Sequence, residues 1–119
     1  MVIKSKKDFC KIETIEEIKN TPPNTTLFFR YDLELIKYCY DNDLSFAVAV
    51  DSIKEAIFAN HFGAAYIVVK KDMAKKIQNV ANEYLFDAKI LVKIVFDWEI
   101  EIFAQKGIDG VYLRDNLSF

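Results

Sequence analysis

Glycine is scarce in this sequence, with only three residues of this type among 119. Gly63, Gly107 and Gly110 each lie at a junction between a helical pattern and a strand pattern. A Walker loop or a Rossmann fingerprint needs several glycines close together, so that the backbone can approach a phosphate group. We therefore expect no nucleotide cofactor, and the sequence indicates no other cofactor.

Cysteine and histidine are also rare. Cys10, Cys39 and His61 are the only residues of these types, too few for a Cys-rich zinc site or a His-rich metal centre. Two separated cysteines are typical of reduced thiols in the cytoplasm. The opening residues, MVIKSKKDFCKIE, lack the apolar core of a signal peptide. We therefore predict a cytoplasmic protein.

Neither long apolar runs nor an excess of positive charge occurs. No segment approaches the roughly 20 apolar residues that span a bilayer, so we expect no membrane insertion. The formal net charge is −2, and no basic stripe suggests a nucleic acid partner. With 52% hydrophobic residues the chain can fill a core, and its length fits one domain, residues 1–119.

What the sequence does contain is a regular alternation of strand and helix patterns. Five apolar segments recur about every 20 residues and predict strands at 26–31, 45–50, 65–70, 89–95 and 110–113. Helical periodicity predicts helices over 33–42, 52–62, 73–85 and 98–106. Residues 14–20 suggest an extra short helix, and residues 2–9 are a candidate for a further short strand.

This alternation predicts an α/β fold with about five parallel strands joined by right-handed crossovers. Two architectures fit. One is an open three-layer sheet, similar to flavodoxin, with helices on both faces. The other is a half (βα)₈ barrel, with helices on one face and the inner face covered by dimerisation. A complete barrel needs about 200 residues or more. We favour the three-layer sheet, because a monomer then covers both faces itself.

The last predicted strands also carry a family resemblance. The segment KILVKIVFDWEIEIFAQKGIDGVYLRD, about a quarter of the chain, resembles the C-terminal βα units of glycerophosphodiester phosphodiesterases, which are TIM barrels. That family ends its barrel with a helix, a Gly-Val-Asp-Gly-like turn, a strand and an acidic residue. Residues 107–110 and Asp115 match this order. The family's His-Arg pair, Glu-x-Asp metal pair and second histidine have no counterpart here, so the resemblance implies a barrel-like fold without the catalytic groups.

Polar residues follow each predicted strand. The aspartates in these positions are Asp32, Asp51, Asp72, Asp97 and Asp115. Basic residues stand beside them: Arg30, Lys70, Lys71, Lys93 and Arg114. The carboxyl ends of parallel strands gather at one edge of the sheet, where ligands usually bind. Carboxylates there suit Mg²⁺, and the basic groups suit a phosphate or another small anion.

A structural interpretation competes with the ligand site. Aspartate is a preferred N-cap, because its carboxylate accepts a backbone N–H at the start of a helix. Asp32, Asp51, Asp72 and Asp97 each precede a predicted helix, and we favour the capping role for each. His61 falls in the last turn of a predicted helix, where a structural role is favoured. Cys39 is predicted to lie in the core.

Lys93 lies inside an otherwise apolar strand pattern. It marks either an edge strand, protected from aggregation by a charge, or a polar group that points into a site. We favour the edge strand. A lysine with a lowered pKa near a strand end is also able to attack a carbonyl group, which makes Lys70 and Lys93 candidate nucleophiles.

The motifs that are missing favour a non-catalytic domain that acts through protein–protein interaction or self-association, such as a homodimer. The alternative is an enzyme or small-ligand binder, with or without Mg²⁺, whose site lies at the carboxyl ends of the strands. Its candidate ligand-binding residues are Arg30, Asp32, Asp51, Lys70, Lys93, Asp97 and Arg114.

Overall fold

The computed structural model describes residues 1–114. Asp115 lies outside the described residues. The strands are β1 Val2–Ser5, β2 Cys10–Lys11, β3 Leu27–Arg30, β4 Phe46–Ala49, β5 Tyr66–Val69, β6 Lys89–Ile94 and β7 Gly110–Leu113. The α-helices are α1 Leu33–Asp41, α2 Ile53–His61, α3 Lys71–Glu83 and α4 Glu99–Gln105. Short 3₁₀ helices cover Lys6–Asp8 and Ile15–Asn20. None of the described helices has the length and apolar character needed to cross a bilayer.

All seven strands form one parallel sheet in the order β1-β7-β6-β5-β4-β3-β2. The predicted α/β class, the five predicted strands and the four predicted helices are confirmed. The predicted count of about five strands is too low by two. The candidate strand at 2–9 contains β1, the first 3₁₀ helix and the residue that precedes β2. The two short strands β1 and β2 lie at opposite edges of the sheet.

The sheet forms a curled half barrel rather than the favoured three-layer sandwich. One face, which we call the convex face, packs against all four α-helices: Phe29, Val48, Ile67 and Ile90 share one core cluster with their buried residues. On each strand, the residues that alternate with these point to the opposite face, which we call the concave face. The apolar cluster on the concave face is centred on Phe9, Ala47, Val68 and Leu91. Within residues 1–114, it contains no residue of the four α-helices. The three-layer prediction is wrong because the helices lie on one side only.

The connection between β1 and β2 limits how flat the sheet can be. Seven parallel strands spaced about 4.8 Å apart would hold the outer two about 29 Å apart if the sheet were flat. Ser5 and Cys10 are only five residues apart, which spans at most about 18 Å. The connection is further shortened by the Lys6–Asp8 turn, where the Ser5 N–H donates to the Asp8 carboxylate at 2.8 Å. The two edges are therefore held close together, and the sheet is curled.

Phe9, in this connection, fills part of the concave face. It is buried, and its ring lies 5.4 Å from that of Phe28, 5.5 Å from that of Tyr66 and 5.8 Å from that of Tyr112, measured between centroids. With Ala47, Val68 and Leu91 these rings form the second apolar cluster. The chain thus covers part of its own concave face. The half-barrel alternative had predicted that a second copy of the chain would cover this face.

The Gly-Ile-Asp-Gly segment that carries the family resemblance has a structural role at the amino end of the sheet. Asp109 accepts the Ile90 N–H at 2.9 Å and donates its own N–H to the buried Gln78 side chain at 2.9 Å. Gly110 pairs with Val2 of β1. A Cβ atom on Gly110 would overlap the Val2 carbonyl oxygen and approach Leu91 Cδ2 to 2.8 Å, so β1 can pair here only with glycine.

We expect Phe9→Ala to lower the free energy of unfolding by about 3 kcal/mol, because it removes the largest apolar group that the connection places on the concave face. Chemical denaturation followed by circular dichroism measures this change. Phe58→Ala is the matched control, since Phe58 is 40% exposed on α2. Equal losses of unfolding free energy in the two variants would show that Phe9 does not stabilise the concave face.

Candidate functional site

A row of charged residues lies on the concave face where the strands end. Side chains of a strand alternate between faces, so a residue two positions beyond a concave-face residue returns to that face. Phe28, Val68, Leu91 and Tyr112 belong to the concave cluster, and so does Phe9. Two positions after each of these stands a basic residue. We call this set the basic ring: Lys11, Arg30, Lys70, Lys93 and Arg114.

The basic ring surrounds two neighbouring hollows. A hollow of about 290 Å³ is lined by Lys11, Arg30, Lys70 and Lys93, with Asp51 beside them. A second hollow of about 630 Å³ is lined by Lys93 and Arg114, with Phe9 and Tyr112 in its wall. The structure therefore brings together five of the seven predicted ligand-binding residues: Arg30, Asp51, Lys70, Lys93 and Arg114.

The charge of this site is opposite to that of the whole chain. The two hollows are lined by six basic residues, the basic ring and Lys6, and within residues 1–114 by one carboxylate, Asp51. Asp51 forms an ion pair with Lys70, with 3.4 Å between Oδ1 and Nζ. The chain as a whole carries a net charge of −2. A net positive concave face on an acidic protein favours anions at this position.

Lys93 is the least exposed member of the ring. It is half-buried, whereas Lys11, Arg30, Lys70 and Arg114 are exposed. Burial lowers the pKa of the Lys93 ammonium, and the positive charges of Arg114, Lys70 and Arg30 lower it further, although Asp51 acts in the opposite direction. Strand β6 lies between β5 and β7, so the edge-strand interpretation of Lys93 is wrong. The alternative, a polar group that points into a site, fits its position.

The strand-end aspartates have different roles. Asp32 caps α1, as predicted, and accepts the N–H groups of Glu34 at 3.0 Å and Leu35 at 3.3 Å. Asp51 does not cap α2, because Ser52 takes that position and accepts the Glu55 N–H at 3.1 Å. Asp72 lies within the first turn of α3 and Asp97 precedes the cap residue of α4, so the capping prediction is wrong for both.

Asp32 and Asp97 are the two predicted ligand-binding residues that do not line the two hollows. The Asp32 carboxylate is occupied by its helix, and Asp97 is exposed in the turn before α4. Among residues 1–114, no three histidine, cysteine, aspartate or glutamate side chains lie close enough together to hold a metal ion.

A buried carboxylate fixes the loop that borders the site. Glu99 accepts the N–H groups of Val95 at 3.0 Å and Phe96 at 2.9 Å, and it forms an ion pair with Lys71. Burial works to raise the pKa of the Glu99 carboxyl. The hydrogen bonds from Lys71, Phe96 and Val95 outweigh burial and hold the pKa below its ordinary value. Glu99 thereby anchors the turn between β6 and α4.

The remaining candidate residues have structural positions. His61 is the last residue of α2 and contacts the Phe62 ring edge-on, with 4.9 Å between centroids. Cys39 is buried in the convex core, and burial raises the pKa of its thiol to about 11, so it is a poor nucleophile. Cys10 is partly buried in β2.

Sequence reasoning missed Lys11 and Phe9. Both lie in the segment whose strand prediction was uncertain, so their face could not be assigned. A usable signal was nevertheless present. An apolar residue followed two positions later by a basic one recurs at Phe9, Phe28, Val68, Leu91 and Tyr112.

We expect Glu99→Gln to lower the free energy of unfolding at pH 7 by about 1–3 kcal/mol, because the amide replaces a buried ionic acceptor. A carboxyl whose folded pKa is depressed stabilises the protein above its unfolded pKa of about 4.3. This contribution disappears as pH falls through the folded pKa. The difference between wild type and variant should therefore shrink below about pH 4.

Urea denaturation at a series of pH values measures that difference. Glu101→Gln is the control, because Glu101 is an exposed residue of the same helix. A stability difference that stays constant from pH 7 to pH 3 would contradict the role of the Glu99 charge.

The sequence matches no protein-family model, and no curated protein matches it at a significant level. The resemblance to glycerophosphodiester phosphodiesterases therefore stays a prediction.

Proposed function

We propose that the protein binds a small ligand with at least two negative charges, such as one that bears phosphate or carboxylate groups, at the basic ring. The observation that carries this proposal is the convergence of five basic side chains on the concave face of an acidic chain. They come from five different strands or strand ends, so the fold itself brings them together.

The surroundings of the ring support binding rather than a solvated surface. Apolar side chains, among them Phe28 and Val68, line the first hollow, and Phe9 and Tyr112 line the second. Such a lining lowers the local dielectric and strengthens each charge–charge contact. The volumes, about 290 and 630 Å³, are close to or within the range of small-molecule sites.

The two arginines define how a ligand would be held. Arg30 extends from β3 and Arg114 from the end of β7, on opposite sides of Lys93 in the strand order. A guanidinium group binds phosphate or carboxylate through two parallel N–H bonds, whereas an ammonium acts as a point charge. A ligand with two separated anionic groups would use Arg30 in the first hollow and Arg114 in the second, and it would pass Lys93, which lines both hollows.

We expect inorganic pyrophosphate to bind saturably at low salt, and isothermal titration calorimetry measures its affinity. Arg30→Gln or Arg114→Gln should weaken binding about tenfold or more, because each removes a charge-assisted contact. Affinity should fall as sodium chloride is added. It should also fall with rising pH as Lys93 loses its proton, below the pH at which an ordinary lysine does so.

Lys37→Gln is the matched control, since it removes one positive charge from an exposed position on α1. If this variant weakens binding as much as the arginine variants do, the affinity reflects overall charge and the proposed site is refuted. The absence of saturable binding at low salt would refute it as well.

Self-association is a second proposal, favoured by an exposed apolar cluster beside α4. Phe96 is 53% and Trp98 is 62% exposed, and their rings stack with 5.9 Å between centroids. Ile102 is exposed on the same helix. Exposed aromatic groups of this kind are typical of protein interfaces.

The predicted location of the protein in the cytoplasm stays a prediction.

Light scattering at two protein concentrations tests this second proposal. We expect a mass that rises towards that of a dimer at the higher concentration, and Trp98→Gln should lower it to that of a monomer. Tyr84→Gln is the control, because Tyr84 is an equally exposed aromatic residue at the end of α3. A monomeric mass for the wild type at both concentrations would exclude this function.

A further inference from the structure

We propose that Lys93 is a nucleophile, which forms a reversible imine with an aldehyde or ketone group of the anionic ligand. The inference rests on the proposed anion site and adds to it a ligand class, carbonyl compounds that also carry phosphate or carboxylate, and a covalent step.

The position of Lys93 is central to the site. It borders both hollows of the basic ring and a third hollow of about 400 Å³ that Arg114 and Lys71 also line. It lies within β6, an interior strand, where it pairs with Tyr112 of β7, and the preceding residue, Val92, pairs with Val69 of β5. Arg30 lines the first hollow and Arg114 the second, so a ligand held by either arginine lies in a hollow that Lys93 also lines.

The neighbours of Lys93 favour the neutral amine, which is the reactive form. Within residues 1–114, no carboxylate lies within ion-pair distance of its Nζ atom. The closest electrostatic influences are three cations, Arg114, Lys70 and Arg30, opposed by one carboxylate, Asp51. Half-burial and this excess of positive charge both lower the pKa of the amine, a known way to activate a lysine nucleophile.

Lys70 does not offer the same chemistry. It is exposed and forms an ion pair with Asp51. The Asp51–Lys70 pair has a different effect on the site. The two opposite charges largely cancel, so Arg114 and Arg30 supply the excess of positive charge near Lys93.

The reaction balances without an oxidant or a reductant. The lone pair of the neutral Lys93 Nζ attacks the carbonyl carbon, a C–N bond forms, and the proton that the nitrogen loses passes to the former carbonyl oxygen. The resulting carbinolamine takes up one proton from solvent and loses water. The product is a protonated imine, whose positive charge stays next to the anionic group of the ligand.

Pyridoxal 5′-phosphate is a suitable probe because it carries both an aldehyde and a phosphate. Its matched form without the phosphate is 5-deoxypyridoxal, whose aldehyde stays free because it has no hydroxyl group with which to form a cyclic hemiacetal. The full chain is incubated with each probe at a low molar excess, and borohydride then reduces any imine to a stable amine. Peptide mapping by mass spectrometry gives the modified fraction of each lysine. We expect Lys93 to be modified at least tenfold more than the average of the other lysines by the phosphorylated probe.

Three further results are expected. 5-Deoxypyridoxal should modify Lys93 far less than pyridoxal 5′-phosphate does, and pyrophosphate should compete with the phosphorylated probe. Lys93→Arg should remove the dominant adduct, whereas Lys89→Arg should not, since Lys89 is an exposed residue at the other end of the same strand. The mapping on the wild-type chain stands even if the Lys93 variant fails to fold.

Modification spread evenly over exposed lysines, or concentrated on Lys70 or Lys71, would overturn the inference. Its failure is distinguishable from that of the anion site. If pyrophosphate binds and the arginine variants weaken it, but Lys93 gives no adduct, then the covalent step is wrong and the anion site stands. If pyrophosphate does not bind either, the proposed function fails too.

Discussion

The short connection from β1 to β2 is the constraint on which the rest of this structure depends. Only four residues separate these two strands in the sequence, yet the strands occupy opposite edges of a seven-stranded sheet. A flat sheet would separate those edges by more than the chain can span, so curvature follows from chain length alone. Curvature in turn produces a concave face, and the same connection supplies Phe9 to fill part of it.

The concave face is thereby divided along the strand direction. Near the strand starts, aromatic and aliphatic side chains pack around Phe9. Two residues after Phe9, Phe28, Val68, Leu91 and Tyr112, the chemistry changes to basic groups that solvent reaches. The pleat permits this division, since residues two positions apart on a strand share one face and differ only in depth. The apolar part of the concave face belongs to the core, and the basic residues above it line the binding site. One face of a small domain therefore serves both purposes.

The sequence was sufficient to predict the parallel α/β class and the limits of most elements, because buried strands and amphipathic helices have distinct periodicities. It was insufficient for the layer arrangement. Strands such as Phe46–Ala49 are apolar on both faces, and this pattern fits a sheet covered by helices on both sides as well as one covered by helices and an aromatic plug. Lys93 was misassigned for a related reason. A charge within a strand is common at an edge, and only the strand order shows that β6 is interior. Of the candidate site, the strand-end cations were predictable from chain position, whereas the capping role of Ser52 in place of Asp51 depended on where α2 begins.

The pairing of β1 with β7 has a consequence for how the chain acquires its structure during synthesis. Val2 pairs with Gly110, so β1 is synthesised more than 100 residues before the strand with which it pairs. Until β7 has emerged, β1 has no partner, and β6 lacks the strand that covers its outer edge. Such a long sequence separation between paired strands slows the final ordering step. The unfinished half barrel exposes an unpaired edge throughout translation, a state in which chaperones or neighbouring nascent chains have access to it.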